Sequence, residues 1–430
     1  MNELFGPLSA ETLRLLNAVP ALIDRTFPLP GRFRSGLAGD VAELSRLMTA
    51  DRGERDPAYL SRPGHLSAYL RYFLPWNIFR LCRLLPNLEL SLSPGDVILD
   101  LGCGPLSLAA ALWISLPDLR KLPLELRCVD RTPAVLEAGR KFFDALAGPD
   151  CPWKIITIRG NINPAGTINI GAGKKSGTKL HAGYAPGGEK PHTEHCGRYA
   201  PFRGKAAALV CAVNVFNEIY RKVSPNDREG VKRAAACAAR LLDSCADASA
   251  SILAVEPGVP FSGEFISCLR DALIEKGRPP RAPCPHSEAC PVPGGGSGTG
   301  KKRWCHFAFD TGEAPAALRR LSVAAGIPKE RAVLSFLHAG HRQIARNKTL
   351  GETGPAQRNR EALTRVISDA FPLPDGTFGR YCCSARGLIL AAGKRADVEA
   401  CASGSLINVV VDANGERDRK SGALLARILS

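Results

Sequence analysis

Three cysteines crowd one stretch of this chain, residues 281–309, "RAPCPHSEACPVPGGGSGTGKKRWCHFAF". Five residues lie between Cys284 and Cys290 and fourteen between Cys290 and Cys305, and each thiol adjoins a proline, a histidine or a tryptophan. Paired Cys-x-x-Cys knuckles, the usual mark of structural zinc, do not occur in this stretch. Long, irregular spacing with Cys-Pro steps suits a soft centre held by thiolates, such as an iron–sulfur cluster, which wants four cysteines. The fourth has to come from a distant segment, and "YCCSARG" offers Cys382 and Cys383. Zinc held by a mixture of cysteine and histidine, using His286 or His306, is the alternative. Three free thiols in a loop would oxidise with nothing gained.

A second constellation lies upstream. "VILDLGCGPLS" (97–107) is a buried strand that runs into a glycine turn and a helix. The glycines let the backbone turn sharply and approach a ligand that a Cβ would block. The helix N-terminus behind them offers free N–H groups. Thirty residues after Asp100, Asp130 ends the next strand, where a carboxylate can accept hydrogen bonds from a ribose diol. The G-x-G-x-x-G pattern of dinucleotide folds is not met. Asp100, Gly102, Gly104 and Asp130 instead resemble the class I S-adenosylmethionine-dependent methyltransferases. Leu106 stands where many of those enzymes carry a third glycine. At the fourth strand end, "NVFNEIY" brings Asn214, Asn217 and Glu218 within reach of the methionine moiety or the substrate, although the same residues read equally as a helix start. There is no Asn/Asp-Pro-Pro-Tyr motif, and the catalytic residue is unknown.

The elements that must position these groups follow from periodicity. Residues 1–92 read as helical: "SAETLRLLNAVPALIDRTF" opens on a possible Ser9 cap, and "HLSAYLRYFLPWNIFRLCRLL" is one kinked helix or two, because Pro75 interrupts it. Its aromatic stripe reads as core packing. Residues 93–345 alternate strands and helices, with strands at "DVILDL", "LELRCVD", "KIITIRG", "AAALVCAVNVFNEI" and "ADASASILAVEPG". That alternation predicts an α/β fold, a doubly wound, Rossmann-like parallel sheet. Two glycine-rich basic insertions, 161–205 and 293–302, show no apolar period and read as mobile surface loops. Residues 346–430 read as a small β-rich appendage.

Composition sets the bounds. Of 430 residues 45% are hydrophobic and 23% charged, and 57 basic against 41 acidic residues give a net charge of +16. That surplus favours a polyanionic partner. No apolar run approaches the eighteen or so residues that span a bilayer. Glu3, Glu11 and Asp24 argue against a transit peptide, so the cytoplasm is the expected location. Most of the 15 cysteines, among them Cys82, Cys103, Cys128, Cys211 and Cys237, sit in apolar segments and read as buried apolar residues.

The cysteine stretch makes the resemblance specific. "EPGVPFSGEFISCLRDALIEKG", then "RAPCPHSEACP", then "WCHF", then a late "CC" before a glycine resembles the methyltransferase-like assembly factors of the small ribosomal subunit, a family of mitochondria with bacterial relatives. The likeness runs over about residues 60–390. It implies a 4Fe–4S cluster on Cys284, Cys290, Cys305 and Cys383, the last standing four positions before Gly387 as the family's cysteine does. It further implies S-adenosylmethionine bound at Asp100, Gly102, Gly104, Asp130, Asn214 and Asn217, and the small ribosomal subunit and its RNA as partner. The alternatives are a catalytically inactive RNA-binding factor with structural zinc, and a small-molecule methyltransferase, whose acceptor would not require so basic a chain. Oligomeric state is not legible.

Overall fold

The structure, a computed structural model, describes residues 3–49, 60, 62–170, 206–224, 226–292, 303–340, 360–412 and 414–429. Helix α1 (Ala10–Thr26) starts at Ser9, whose side chain accepts a hydrogen bond from the Thr12 amide at 3.2 Å. After α2 (Gly31–Arg34) and α3 (Leu37–Met48), α4 (Pro63–Ala68) and α5 (Leu74–Leu84) are joined by a π-helical turn, Tyr69–Phe73. Pro75 explains that turn. It has no N–H for the carbonyl one turn back and its ring crowds that carbonyl, so the helix widens instead of breaking. Tyr72, Trp76 and Phe79 are buried, as the core reading of the stripe expects.

The central sheet contains β1 (Val97–Leu101), β2 (Glu125–Asp130), β3 (Lys154–Ile162), β4 (Ile168–Ile170), β5 (Ala207–Val213), β6 (Ala246–Pro257), β7 (Pro280–Ala282), β8 (Phe307–Asp310) and β9 (Arg331–Ala339). Their order is β4-β3-β2-β1-β5-β6-β9-β7, with β8 also paired to β9. Strands β3, β2, β1, β5 and β6 are parallel, whereas β9 runs antiparallel between β6 and β7. On one face pack α1, α5, α6 (Ser107–Ser115) and α7 (Pro133–Ala147); on the other lie α9 (Arg228–Cys245) and α10 (Pro260–Glu275), reached through the short α8 (Phe216–Ile219). β1 shows why its residues other than Asp100 are all hydrophobic: Ile98 enters one core while Val97, Leu99 and Leu101 enter the other. Helix α11 (Ala316–Ala324) precedes β9. Arg83 of α5 ties the N-terminal helices to this body, pairing with Glu313 and donating to the Phe5 carbonyl at 2.7 Å.

The C-terminal part is a second sheet: β10 (Glu361–Val366), β11 (Phe371–Pro372), β12 (Phe378–Ser384), β13 (Gly387–Gly393), α12 (Arg395–Ala400), β14 (Leu406–Val411) and β15 (Leu424–Ile428). Five residues of β10, Glu361 to Arg365, pair with β14 and its last two, Arg365 and Val366, with β12, so the sheet closes on itself. Val366, Cys382, Ile389, Ala391 and Val409 fill its interior.

Two expectations need correction. The insertion assigned to 161–205 begins later, because residues 161–162 extend β3 and Ile168–Ile170 return as β4 through a turn held by Asn163. Short alternation within "NINPAGTINI" was masked by its glycine and asparagine content. The fourth strand stops at Val213, and Phe216–Ile219 is helical. The remainder, 171–205, and the insertion at 293–302 lie outside the described residues.

Gly139 gives a test of how α7 seats the glycine turn. A Cβ there would lie 2.6 Å from both Leu106 Cδ1 and the Pro105 carbonyl carbon. Alanine normally stabilises a helix interior by about 1 kcal/mol over glycine. Here Gly139→Ala should instead destabilise by about 1–3 kcal/mol through overpacking, read as a lower denaturation midpoint. A raised midpoint would show that the turn yields freely.

Candidate functional site

β1 delivers its carboxylate to the sheet's C-terminal edge and then turns. Gly102, Gly104 and Leu106 take φ values of +71°, +52° and +59° at alternate positions. Glycine adopts that region freely, whereas for leucine it costs roughly 1–2 kcal/mol. Leu106 therefore reproduces the backbone of a third glycine and adds a fully buried side chain under α7. Gly102 is irreplaceable on two counts, since a Cβ would also meet Val215 Cγ2 at 2.3 Å.

Asp100 is 3% exposed, and neither carboxylate oxygen has a hydrogen-bond partner. It lies level with Cys128 of β2 and Cys211 of β5. Burial, and then the neighbouring Asp130 carboxylate, push its pKa up to about 8. Asp130 is better served: Oδ2 accepts from the Gly104 amide at 3.1 Å and Oδ1 from the Thr132 amide at 2.9 Å. Burial still raises its pKa against those two bonds.

Asn214 follows β5 with φ +55° and donates from Nδ2 to Asn77 Oδ1 at 3.3 Å. Asn77 is also bonded by Arg80, and its Nδ2 lies 3.5 Å from the Tyr69 hydroxyl, which stands 3.9 Å from the Cβ position of Gly104. The π turn and α5 thus roof the strand ends, and a small cavity there is lined by Asn77, Arg80, Val213, Asn214 and Val255. Asn217 is held by its backbone: its amide and that of Phe216 donate to the two oxygens of buried Glu256, at 3.1 and 2.8 Å. Its helix-start reading accounts for these contacts. Tyr69, Asn77, Arg80 and Glu256 were missed because α5 reads as core and "EPG" as a plain strand end.

The thiols come from two sheets. Cys284 and Cys290 lie in the loop after β7, Cys305 just before β8, and Cys383 on β12. Burial raises all four pKa values, Cys284 to about 11, and in each of the six pairs one cysteine makes the other harder to ionise. Along β12, Cys382 points into the barrel core and Cys383 out toward the loop, so the strand's two-residue period separates the two candidates. His286 Nε2 lies 3.2 Å from Cys383 Sγ, whereas His306 bonds the Trp304 carbonyl.

Two arginines flank the thiols. Arg270 of α10, 2% exposed, donates to the carbonyls of His286 and Glu288 and pairs with Asp271, while its Nε has no partner. Burial lowers its pKa, and Cys284, Cys290 and Asp271 more than reverse that. Arg365 of β10, 5% exposed, donates to the Pro283 and Gly404 carbonyls and lies within electrostatic reach of Cys284 and Cys383. Among the described residues no group of three or more His, Cys, Asp or Glu side chains is arranged to hold a metal ion.

An open parallel sheet with the antiparallel β9 between β6 and β7, its glycine turn after β1 and an acid ending β2, is the class I S-adenosylmethionine-dependent methyltransferase fold. Residues 223–370 match the family model described as mitochondrial small ribosomal subunit Rsm22, in keeping with the resemblance of the cysteine stretch. No curated protein matches the chain. Among solved structures the chain is similar to a putative class I methyltransferase from Listeria monocytogenes, at 10% identity over 79% of this chain and 90% of that one, TM-score 0.34. It is also similar to a methyltransferase from Geobacter sulfurreducens in complex with S-adenosyl-L-homocysteine, at 12% identity over 62% and 91%, TM-score 0.30. The fold assignment rests on strand order, not on these two. No helix among the described residues is long and apolar enough to cross a membrane.

Asp100 sets a pH dependence. Its folded pKa stands above the unfolded value near 3.9, so the folded chain holds a proton that the unfolded chain releases. Its contribution is fully favourable below about pH 4 and declines as pH rises toward about 8. In cofactor-free protein, Asp100→Asn should raise the melting temperature at pH 8, with much less gain at pH 4.5. An equal gain at both would refute the assignment.

Proposed function

We propose that this protein is an S-adenosylmethionine-binding, methyltransferase-like factor of the small ribosomal subunit that carries a 4Fe–4S cluster and acts on or binds the subunit's RNA, in the cytoplasm. The observation that carries this reading is that Cys284, Cys290, Cys305 and Cys383 lie within electrostatic reach of one another at a seam between two sheets, flanked by Arg270 and Arg365. Four thiols held where each makes the others harder to ionise gain nothing as thiols. As ligands they bind, and a core with four thiolates carries net negative charge that two buried guanidiniums offset. Zinc would draw four sulfurs to within about 4 Å of one another, given Zn–S bonds near 2.3 Å; a cubane holds them further apart. The closeness of His286 to Cys383 is what favours the zinc alternative.

The cofactor reading rests on Asp100. A buried carboxylate with both oxygens unpartnered suits a cationic ligand, and S-adenosylmethionine carries an ammonium and a sulfonium. When bound, the cofactor supplies an electrophilic methyl group. Asp130, already braced by two backbone amides, keeps lone pairs for a ribose diol, and Gly102 and Gly104 allow the backbone to approach. The family description supports a ribosomal partner, and the charge of +16 suits RNA.

Anaerobically purified protein should be brown, with about four irons and four sulfides per chain. Cys284→Ser or Cys383→Ser should bleach it and expose the C-terminal sheet to limited proteolysis. Stoichiometric zinc without sulfide would overturn the cluster in favour of the alternative. The RNA reading is checked separately. Affinity for small-subunit RNA should fall steeply as salt rises, and labelled cofactor should show whether methyl transfer to that RNA occurs. A salt-independent affinity would remove the RNA partner.

A further inference from the structure

The C-terminal sheet has a connectivity that its sequence conceals. Leaving aside the two-residue β11, five strands close in the order β10-β12-β13-β15-β14 and back to β10. In chain order that is one-two-three-five-four-one. The third and fifth strands, β13 and β15, are the parallel pair, and the other pairings are antiparallel. The first strand serves both the second and the fourth, and a short helix, α12, lies between the third and the fourth. This is the connectivity of an OB-fold, a five-stranded Greek-key barrel.

In such a barrel the outer face of the second and third strands, bordered by the one-two and four-five loops, is where a strand of nucleic acid can lie. Here those loops are residues 367–377 and 412–423. On the outer face β12 places Tyr381 opposite Leu390 of β13. Phe371, from the first loop, packs on Tyr381 with ring centroids 5.1 Å apart. The Arg303 guanidinium lies over Tyr381 at 5.4 Å and donates to the Ser421 carbonyl in the second loop at 3.2 Å. Phe371 and Tyr381 are only part-buried, whereas the barrel's interior residues are buried throughout. The second loop also exposes Arg417, Arg419 and Lys420, while Asp418 is turned back onto Ser421. The first loop is fixed to the methyltransferase-like body by a two-pronged Arg331–Asp369 pair, at 2.6 and 2.7 Å.

We infer that this barrel is a single-strand-binding module: its β12–β13 face takes single-stranded RNA, stacking bases on Phe371, Tyr381 and the Arg303 plane. Guanidinium planes and aromatic rings both accept bases in this way, without sequence readout. The basic loop then neutralises phosphates. The inference deepens the small-subunit RNA reading by naming a surface and the form of RNA it prefers, and it rests on that reading.

The test uses the full chain, with its metal content checked, against a short oligouridylate and a self-complementary RNA duplex of equal length. Wild type should prefer the single strand. Tyr381→Ala combined with Phe371→Ala should cost about tenfold or more in single-strand affinity, leaving duplex affinity within twofold. Arg303→Gln, which spares the barrel's interior, should lose affinity in the same direction, and Tyr381→Trp should retain it. Equal affinity of wild type for the two RNAs would overturn the inference, as would variants that bind oligouridylate like wild type. If those variants still bind small-subunit RNA, the ribosomal reading survives without this surface. If wild type binds neither RNA nor small-subunit RNA, both fail.

Discussion

Four thiols that burial and mutual proximity keep from ionising, Cys383 buried and the other three part-buried, are the constraint around which the two halves of this protein are arranged. Two lie in a loop leaving β7, one precedes β8 and one belongs to the closed C-terminal sheet. No local preference draws these segments together, and neutral thiols would supply little attraction. Arg270 fixes the loop by its His286 and Glu288 carbonyls, and Arg365 reaches from the other sheet to the Pro283 carbonyl. Each guanidinium therefore does two things at once. It satisfies backbone carbonyls that the turn leaves open, and it sets positive charge beside the sulfurs. Truncating either would leave stranded polar groups as well as lost charge.

The same seam determines what surrounds it. Trp304 lies against Gly263 of α10, where even a Cβ would sit 2.6 Å from the indole, and its N–H donates to the Gly258 carbonyl at 3.1 Å. Ser335 of β9 donates to the Cys305 carbonyl at 2.7 Å. Thus the third cysteine is positioned from the central sheet and the fourth from the barrel. The nucleotide-type turn lies elsewhere, at the edge formed by β1, β2 and β5, roofed by the π turn and α5. Its two acids meet opposite fates. Asp130 keeps backbone donors, and Asp100 has none.

How much of this was legible depended on the range of the cause. Short-range signals read well: the Ser9 cap, the glycine turn after β1, the strand-helix alternation and the break at Pro75 all follow from residues a few positions apart. The cysteine spacing singled out candidate ligands, and the two-residue period of β12 is what distinguishes Cys382 from Cys383 once the strand is known. Long-range consequences were not. Asn77 and Arg80 read as core because their neighbours are apolar, and only the tertiary path of α5 turns them toward Asn214. Arg270 and Arg365 look like any basic residues in a chain with 57 of them. The glycine and asparagine of "NINPAGTINI" concealed a hairpin whose pairing, not its composition, makes it a strand.

The barrel carries the same lesson further. Its strands are short, and "TFGRYCCSARGLILAAG" announces only two of them. Closure depends on β10 switching partners at Arg365, the residue whose side chain faces the thiols. Register at that point decides two matters together. It sets Arg365 opposite Cys383, so the barrel's seam and the thiol site share one pair of residues. By the two-residue alternation it also brings Tyr381 onto the same outer face as Cys383. A slip of one residue would send both inward and bring Cys382 out. The thiol cluster and the part-buried Tyr381 ring are therefore read from one strand in one register, and whatever fixes Cys383 among its partners also fixes where Tyr381 stands.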